Sequence, residues 1–233
     1  MLNRVRCSAA AYNAHMSSST REYMDAVEHL PQGATLVLQR LTWEDYERLV
    51  SDLTASRARL RVTYDHGRVE IMSPLNEHEG YARFIDALVR AFAEHGKLKL
   101  ESFGGTTWRR HQLQQGVEGD CCYYVTNADR IIGKKAIDLE SDPPPDIAVE
   151  IDITNESSSK VHIYAALKIG EIWLYDGKKA RLRFYQLSGN SYCQIHESNV
   201  LPGMRPEMIE RALQHSKTDG QTAALDAFRR QLG

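Results

Sequence analysis

Residues 143–176, PPPDIAVEIDITNESSSKVHIYAALKIGEIWLYD, constrain this chain most. They read as a strand, a short loop, an amphipathic helix stopped by Gly170, and a second strand. Side chains alternate across a strand, so Asp146, Ala148, Glu150 and Asp152 share one face while Ile147, Val149 and Ile151 form the other. Such a strand belongs over an apolar core, with three carboxylates lining its opposite face. Lys160 falls ten residues after Glu150, in the opening turn of the helix. The helix macrodipole opposes a cation there by about 0.3–1 kcal/mol when exposed. A carboxylate cluster or a phosphate would offset that cost. Acids with one lysine point to a site that holds a metal and a phosphate together.

Net charge limits how such a site could meet nucleic acid. The 233 residues carry a formal charge of −2, whereas a protein that grips nucleic acid over a wide face is usually basic, because counterion release drives that affinity. Binding must therefore use local patches. The four cysteines, Cys7, Cys121, Cys122 and Cys193, lack metal-ligand spacing and read as buried small residues in a reducing cytoplasm. In a strand, the vicinal pair points to opposite faces. No stretch approaches the ~18 apolar residues of a membrane span, and the first residues lack the apolar core of a signal peptide. The expectation is a cytoplasmic protein: residues 1–25 a disordered lead-in with Met16 as an alternative start, one domain over 26–205, and a short helical tail over 206–233.

Upstream, Thr42 and Asp45 resemble a helix cap, followed by a core stripe of Trp43, Tyr46, Leu49, Val50 and Leu53. LRVTYDHGRVEIMSP reads as a hairpin with a three-residue turn, Asp65-His66-Gly67. NEHEGYARFIDALVRAFAEHG is the clearest helix, with Asn76 and Glu79 as a capping box and an apolar stripe from Tyr81 to Phe92. His78 lies in its first turn, either as a surface histidine or as a site residue. KLKLESF, TTWRRHQL and GVEGDCCYYV read as three strands, the last bringing Glu118 and Asp120. Two more strands follow the 171–176 strand. The fold class is α/β (α+β): a mixed sheet flanked by helices, with hairpins before and after.

Chemically, a hard cation such as Mg²⁺ takes one or two carboxylates and leaves its other positions to water and phosphate oxygens. Asp120 and Glu150 supply that pair if their strands are neighbours, and Lys160 could then touch the phosphate or position water. The bland alternative is that Asp146 caps the start of its strand while Glu150 and Asp152 pair with Arg109, Arg110 or Lys160. No GxSxG or GxxxxGK[ST] motif offers a competing scheme.

GVEGDCCYYV, PPPDIAVEID and KVHIYAALKIGEIWLYD, preceded by a helix led by Ser73, Pro74 and His78, resemble the Uma-two family of restriction endonucleases over roughly residues 40 to 205. That family is a branch of the PD-(D/E)XK nuclease superfamily. The resemblance implies a restriction-endonuclease-like core in αβββαβ order. It implies Asp120 and Glu150 as the metal-binding acids and Lys160, four residues before Tyr164, as the catalytic lysine. Asp146 only opens the Glu150 strand. Gly119 stands where the family has proline, and Ile151-Asp152 replaces the superfamily's x-K. His78 and Asp152 are second-tier candidates. The implied activity is Mg²⁺- or Mn²⁺-dependent hydrolysis of nucleic acid, double-stranded DNA in the first place, with a homodimer as the natural arrangement for cutting both strands. The alternatives are a nuclease-like fold that binds without cutting, and a hydrolase of small phosphorylated molecules.

Overall fold

The computed structural model describes residues 27, 29–56, 60–152 and 160–233. The expected lead-in, and the loop between the Glu150 strand and Lys160, lie outside them. Two sheets share the elements. The smaller is antiparallel, ordered β1-β3-β2-β6-β5, from β1 (Thr35–Leu38), β2 (Arg61–Asp65), β3 (Arg68–Met72), β5 (Thr106–Arg110) and β6 (Gln115–Gly119). The larger is mixed, ordered β11-β10-β9-β8-β7-β4, from β4 (Glu101–Phe103), β7 (Cys121–Tyr124), β8 (Ile147–Asp152), β9 (Glu171–Asp176), β10 (Arg181–Ser188) and β11 (Ser191–Ile195). Only β8 and β9 run parallel, with Glu150 opposite Leu174.

The helices are α1 (Trp43–Ser56), α2 (Asn76–His95), the single turn α3 (Ala128–Ile131), α4 (Val161–Ala166) and α5 (Pro206–Leu232). The order α2–β4–β7–β8–α4–β9 is the expected αβββαβ core. TTWRRHQL, read as a strand, lies in the smaller sheet as β5, whereas KLKLESF supplies β4 of the larger. GVEGDCCYYV, expected as one strand, is two: β6 in one sheet and β7 in the other, parting at Asp120. The Asp120 N–H still donates to the Val149 carbonyl at 3.0 Å, which holds the corner against β8.

Periodicity accounts for the layers. Ile147, Val149 and Ile151 pack with Phe84, Ile85, Leu88 and Val89 of α2 and with Ile209, Leu213 and Phe228 of α5. Ala148 and Cys122, from the opposite face, pack with Ile163, Tyr164 and Leu167 around α4. Cys121 and Cys122 are buried on opposite faces as expected, whereas Cys193 is exposed. The short tail expected at 206–233 is a 27-residue helix, interrupted at Gly220 (φ 84°) and packed on α2 through Ile209, Leu213, Ala224 and Phe228. Among the described residues no helix is long and apolar enough to cross a membrane.

Local chemistry follows the sequence at some ends and departs from it at others. Thr42 and Asp45 do form a reciprocal cap: the Asp45 N–H donates to Thr42 Oγ1, and the Thr42 N–H to Asp45 Oδ2, each at 3.1 Å. The capping box of Asn76 and Glu79 does not form. Leu75 is the cap of α2, with no side-chain bond, because Glu79 is drawn to an arginine described below. The hairpin turn is two residues long, since Asp65 pairs with Arg68, and His66 and Gly67 both take positive φ (45° and 90°) as a type I′ turn requires.

Glu171, fully buried at the start of β9, accepts four hydrogen bonds: from Trp173 Nε1, the Ser198 hydroxyl and the N–H groups of Asn199 and Val200. It pins the segment after β11 onto the sheet. Glu171→Ala would remove the acceptor of four donors, of which Trp173 Nε1 and the Ser198 hydroxyl are buried, and should lower stability by on the order of 3 kcal/mol, read as a shifted urea midpoint. An unchanged midpoint would mean that water replaces the carboxylate.

Candidate active site

Asp120, at the corner just before β7, and Glu150, on the antiparallel neighbour β8, stand opposite each other one step beyond the Cys121–Val149 pair. Both carboxylates are about 4% exposed. Each has one oxygen fixed by a hydrogen bond. The Ile151 N–H donates to Asp120 Oδ2 at 2.8 Å, and the Tyr164 hydroxyl donates to Glu150 Oε1. The remaining oxygens face cations beyond hydrogen-bond length: Asp120 Oδ1 lies 3.4 Å from Arg61 Nε, and Glu150 Oε2 lies 3.7 Å from Lys160 Nζ.

Burial pushes the Asp120 carboxyl up to about 8, helped by the charge of Glu150 and resisted by Arg61. Burial works against the charged form of Lys160, but Glu150, Asp120 and Glu70 outweigh it and raise its pKa above the ordinary lysine value. Lys160 is therefore an ammonium that can donate hydrogen bonds but cannot take a proton. Tyr164 is held well above the ordinary phenol range by burial and by Glu150, so it stays a donor.

Arg61 was not foreseen. Its guanidinium, on β2 of the smaller sheet, reaches across the corner to three carboxylates: Glu79 at 2.8 Å, Glu118 at 2.7 Å and Asp120 at 3.4 Å. Burial opposes its charge, yet Asp120 and Glu118 hold it firmly protonated. Gly105 makes room, since a Cβ there would sit 1.7 Å from Arg61 Nη1. Gly119 adjoins the cluster too, because its Cβ would come 3.1 Å from the Tyr164 oxygen.

His78 is buried rather than on the surface. Its Nε2 lies 3.4 Å from Asp120 Oδ2, and its Nδ1 has no hydrogen-bond partner among the described residues. Burial, with Arg61, pushes its pKa down and favours the neutral ring. Asp120, Glu150, Lys160 and His78 thus come together. Asp152 ends β8, opposite Asp176 of β9. Asp146 is spent structurally, accepting from the N–H groups of Val125 and Asn127 and from the Asn127 amide. Of the partners the bland alternative offered Glu150, Lys160 is at 3.7 Å, and the two arginines turn elsewhere. Arg109 faces Glu47 at 3.6 Å, and Arg110 donates to the Leu139 carbonyl.

No group of three or more His, Cys, Asp or Glu side chains in the described residues is arranged to hold a metal. The protein offers a pair rather than a cage. The pair nonetheless suits a hard cation: the donors are all oxygen, each carboxylate keeps one oxygen free of hydrogen bonds, and the two like charges repel in a buried site.

An αβββαβ core with strand-borne acids at the corner of two sheets and a lysine on the following helix defines a restriction-endonuclease-like α+β protein. The Uma2 family model, described as "putative restriction endonuclease", matches residues 43–214. The chain belongs to that family. Among solved structures, a "putative nuclease" of the DUF820 family from Anabaena variabilis is similar at 11% identity and a TM-score of 0.46, covering 70% of this chain and 90% of that one. No curated protein matches.

Proposed function

We propose that this protein is a divalent-metal-dependent endonuclease that hydrolyses nucleic-acid phosphodiesters, those of double-stranded DNA in the first place. The observation that carries the reading is the approach of Lys160 to Glu150 beside Asp120, with one oxygen of each acid free of hydrogen bonds. Asp120 Oδ1 and Glu150 Oε2 would hold Mg²⁺ or Mn²⁺. Such an ion, when bound, acidifies water and stabilises charge on phosphoryl oxygens. The Ile151 N–H and the Tyr164 hydroxyl keep the two carboxylates from rotating. Lys160, held protonated, donates to a non-bridging phosphate oxygen or orients water, and proton abstraction is not its task. Cutting both strands of a duplex would pair two copies as a homodimer.

Purified protein should nick supercoiled plasmid with Mg²⁺ or Mn²⁺. Chelator and Glu150→Ala should each abolish nicking. Activity that survives Glu150→Ala would move the site elsewhere. A folded wild type that binds plasmid or RNA and cuts neither would leave the binding-module reading.

A further inference from the structure

One face of α2 leads away from the acid cluster with charges that the chemistry above leaves unused. A cavity of about 440 Å³ reaches Asp120, and Glu79, Ala82, Arg83, Asp86 and Arg90 line it from α2. Their spacing keeps a single helix face. At 1.5 Å rise per residue, Arg83 stands about 6 Å and Arg90 about 16 Å beyond Glu79 along the axis. Glu79 binds Arg61, so this wall begins at the cluster and runs outward.

The charges sort along it. Glu79, Glu118 and Asp120 share Arg61. Asp86 accepts from Arg90 Nε at 2.8 Å and from the Ser102 hydroxyl. Arg83 is exposed and makes no ion pair or side-chain hydrogen bond among the described residues. Across the cavity, Gly104 and Gly105 present bare, exposed backbone, and a Cβ on Gly104 would meet open space.

We propose that this wall is the track of the nucleic-acid strand running on from the reacting phosphate, with Arg83 gripping one backbone phosphate and Arg90 another further along. The inference rests on the nuclease reading. A guanidinium fork matches phosphate oxygens in pairs. The separation of Arg83 and Arg90, about 10 Å along the helix, exceeds one step between successive backbone phosphates, so the two guanidiniums would meet different phosphates. Arg90 can exchange Asp86 for phosphate because an exposed pair is worth only about 0–1 kcal/mol. A local track of this kind lets a protein of net charge −2 hold a polyanion.

The test is fluorescence anisotropy with a fluorescein-labelled phosphorothioate DNA duplex, which resists hydrolysis, in Mn²⁺ across a salt series. Plasmid nicking is followed in parallel. Arg83→Ala should reduce the slope of log affinity against log salt by about 0.9, the loss of one phosphate contact, alike on duplexes of unrelated sequence. Arg83→Glu should weaken binding further. Arg48→Ala, an exposed arginine on α1 outside the cavity, should match wild type. Wild-type slopes in both Arg83 variants, with wild type binding and cutting, would overturn the track and leave the nuclease reading intact. A wild type that neither binds nor cuts would overturn both.

Discussion

Arg61→Ala is expected to cost about 3–5 kcal/mol of stability, the usual penalty for removing one partner of a buried ionic group. The guanidinium answers three carboxylates from α2, β6 and the corner at Asp120, and its side chain is only 11% exposed. Without it, Glu118 and Asp120 remain in a site where burial already raises both above the ordinary carboxylate range. The loss should therefore depend on pH. Native carboxyls with raised pKa values bind more protons than the unfolded chain does, so stability falls as pH rises, from near 4 up to about 8 for Asp120. Urea denaturation of the variant should accordingly show its largest deficit at neutral pH and a smaller one near pH 5. Arg61→Lys should recover part, since an ammonium keeps the charge but lacks the planar fork that reaches three acids. Gly105→Ala keeps every charge yet places a Cβ 1.7 Å from Nη1. By displacing the guanidinium from Glu118 it should lower the urea midpoint in the same direction as Arg61→Ala. An Arg61→Ala midpoint close to wild type at pH 7 would mean that the acids are already protonated and that the clamp is not needed.

Arg61 also shows where sequence reading stops. Asp120, Glu150 and Lys160 were legible because two-residue periodicity, helix position and family motifs agreed on them. Arg61 opens an alternating strand and looks like any solvated end residue. Its partners Glu79 and Glu118 are 18 and 57 residues away, and only the pairing of β2 with β6 and the approach of α2 join them. The same arginine explains the misread cap: a buried guanidinium offers Glu79 a charge-assisted bond stronger than a helix-end N–H does. In GVEGDCCYYV a strand phase can be carried from Glu118 through Asp120 to Cys122 and Tyr124, so periodicity could not show the chain changing sheets there. Tyr164 entered as a spacing marker for Lys160, and its bond to Glu150 appears only once α4 folds over β8.

Lys160→Met should separate metal binding from catalysis. Lys160 Nζ is a cation 3.7 Å from the Glu150 oxygen assigned to the metal, so it competes electrostatically with any ion placed there. Removing its charge while keeping an unbranched stem should leave Mn²⁺ affinity unchanged or raise it, as read by isothermal titration. Nicking should nevertheless fall by about 10²–10³-fold, the usual loss when a donor aimed at developing charge is deleted. Lys160→Arg should not restore the rate, because the broader fork does not fit where a compact ammonium sits among Glu150, Asp120 and Glu70. Glu150→Gln should behave differently, losing Mn²⁺ binding and nicking together. Loss of Mn²⁺ binding in Lys160→Met as well would show that the lysine props the carboxylates and does not act on the phosphate. The contrast between the two variants is what tells a catalytic cation from a structural one.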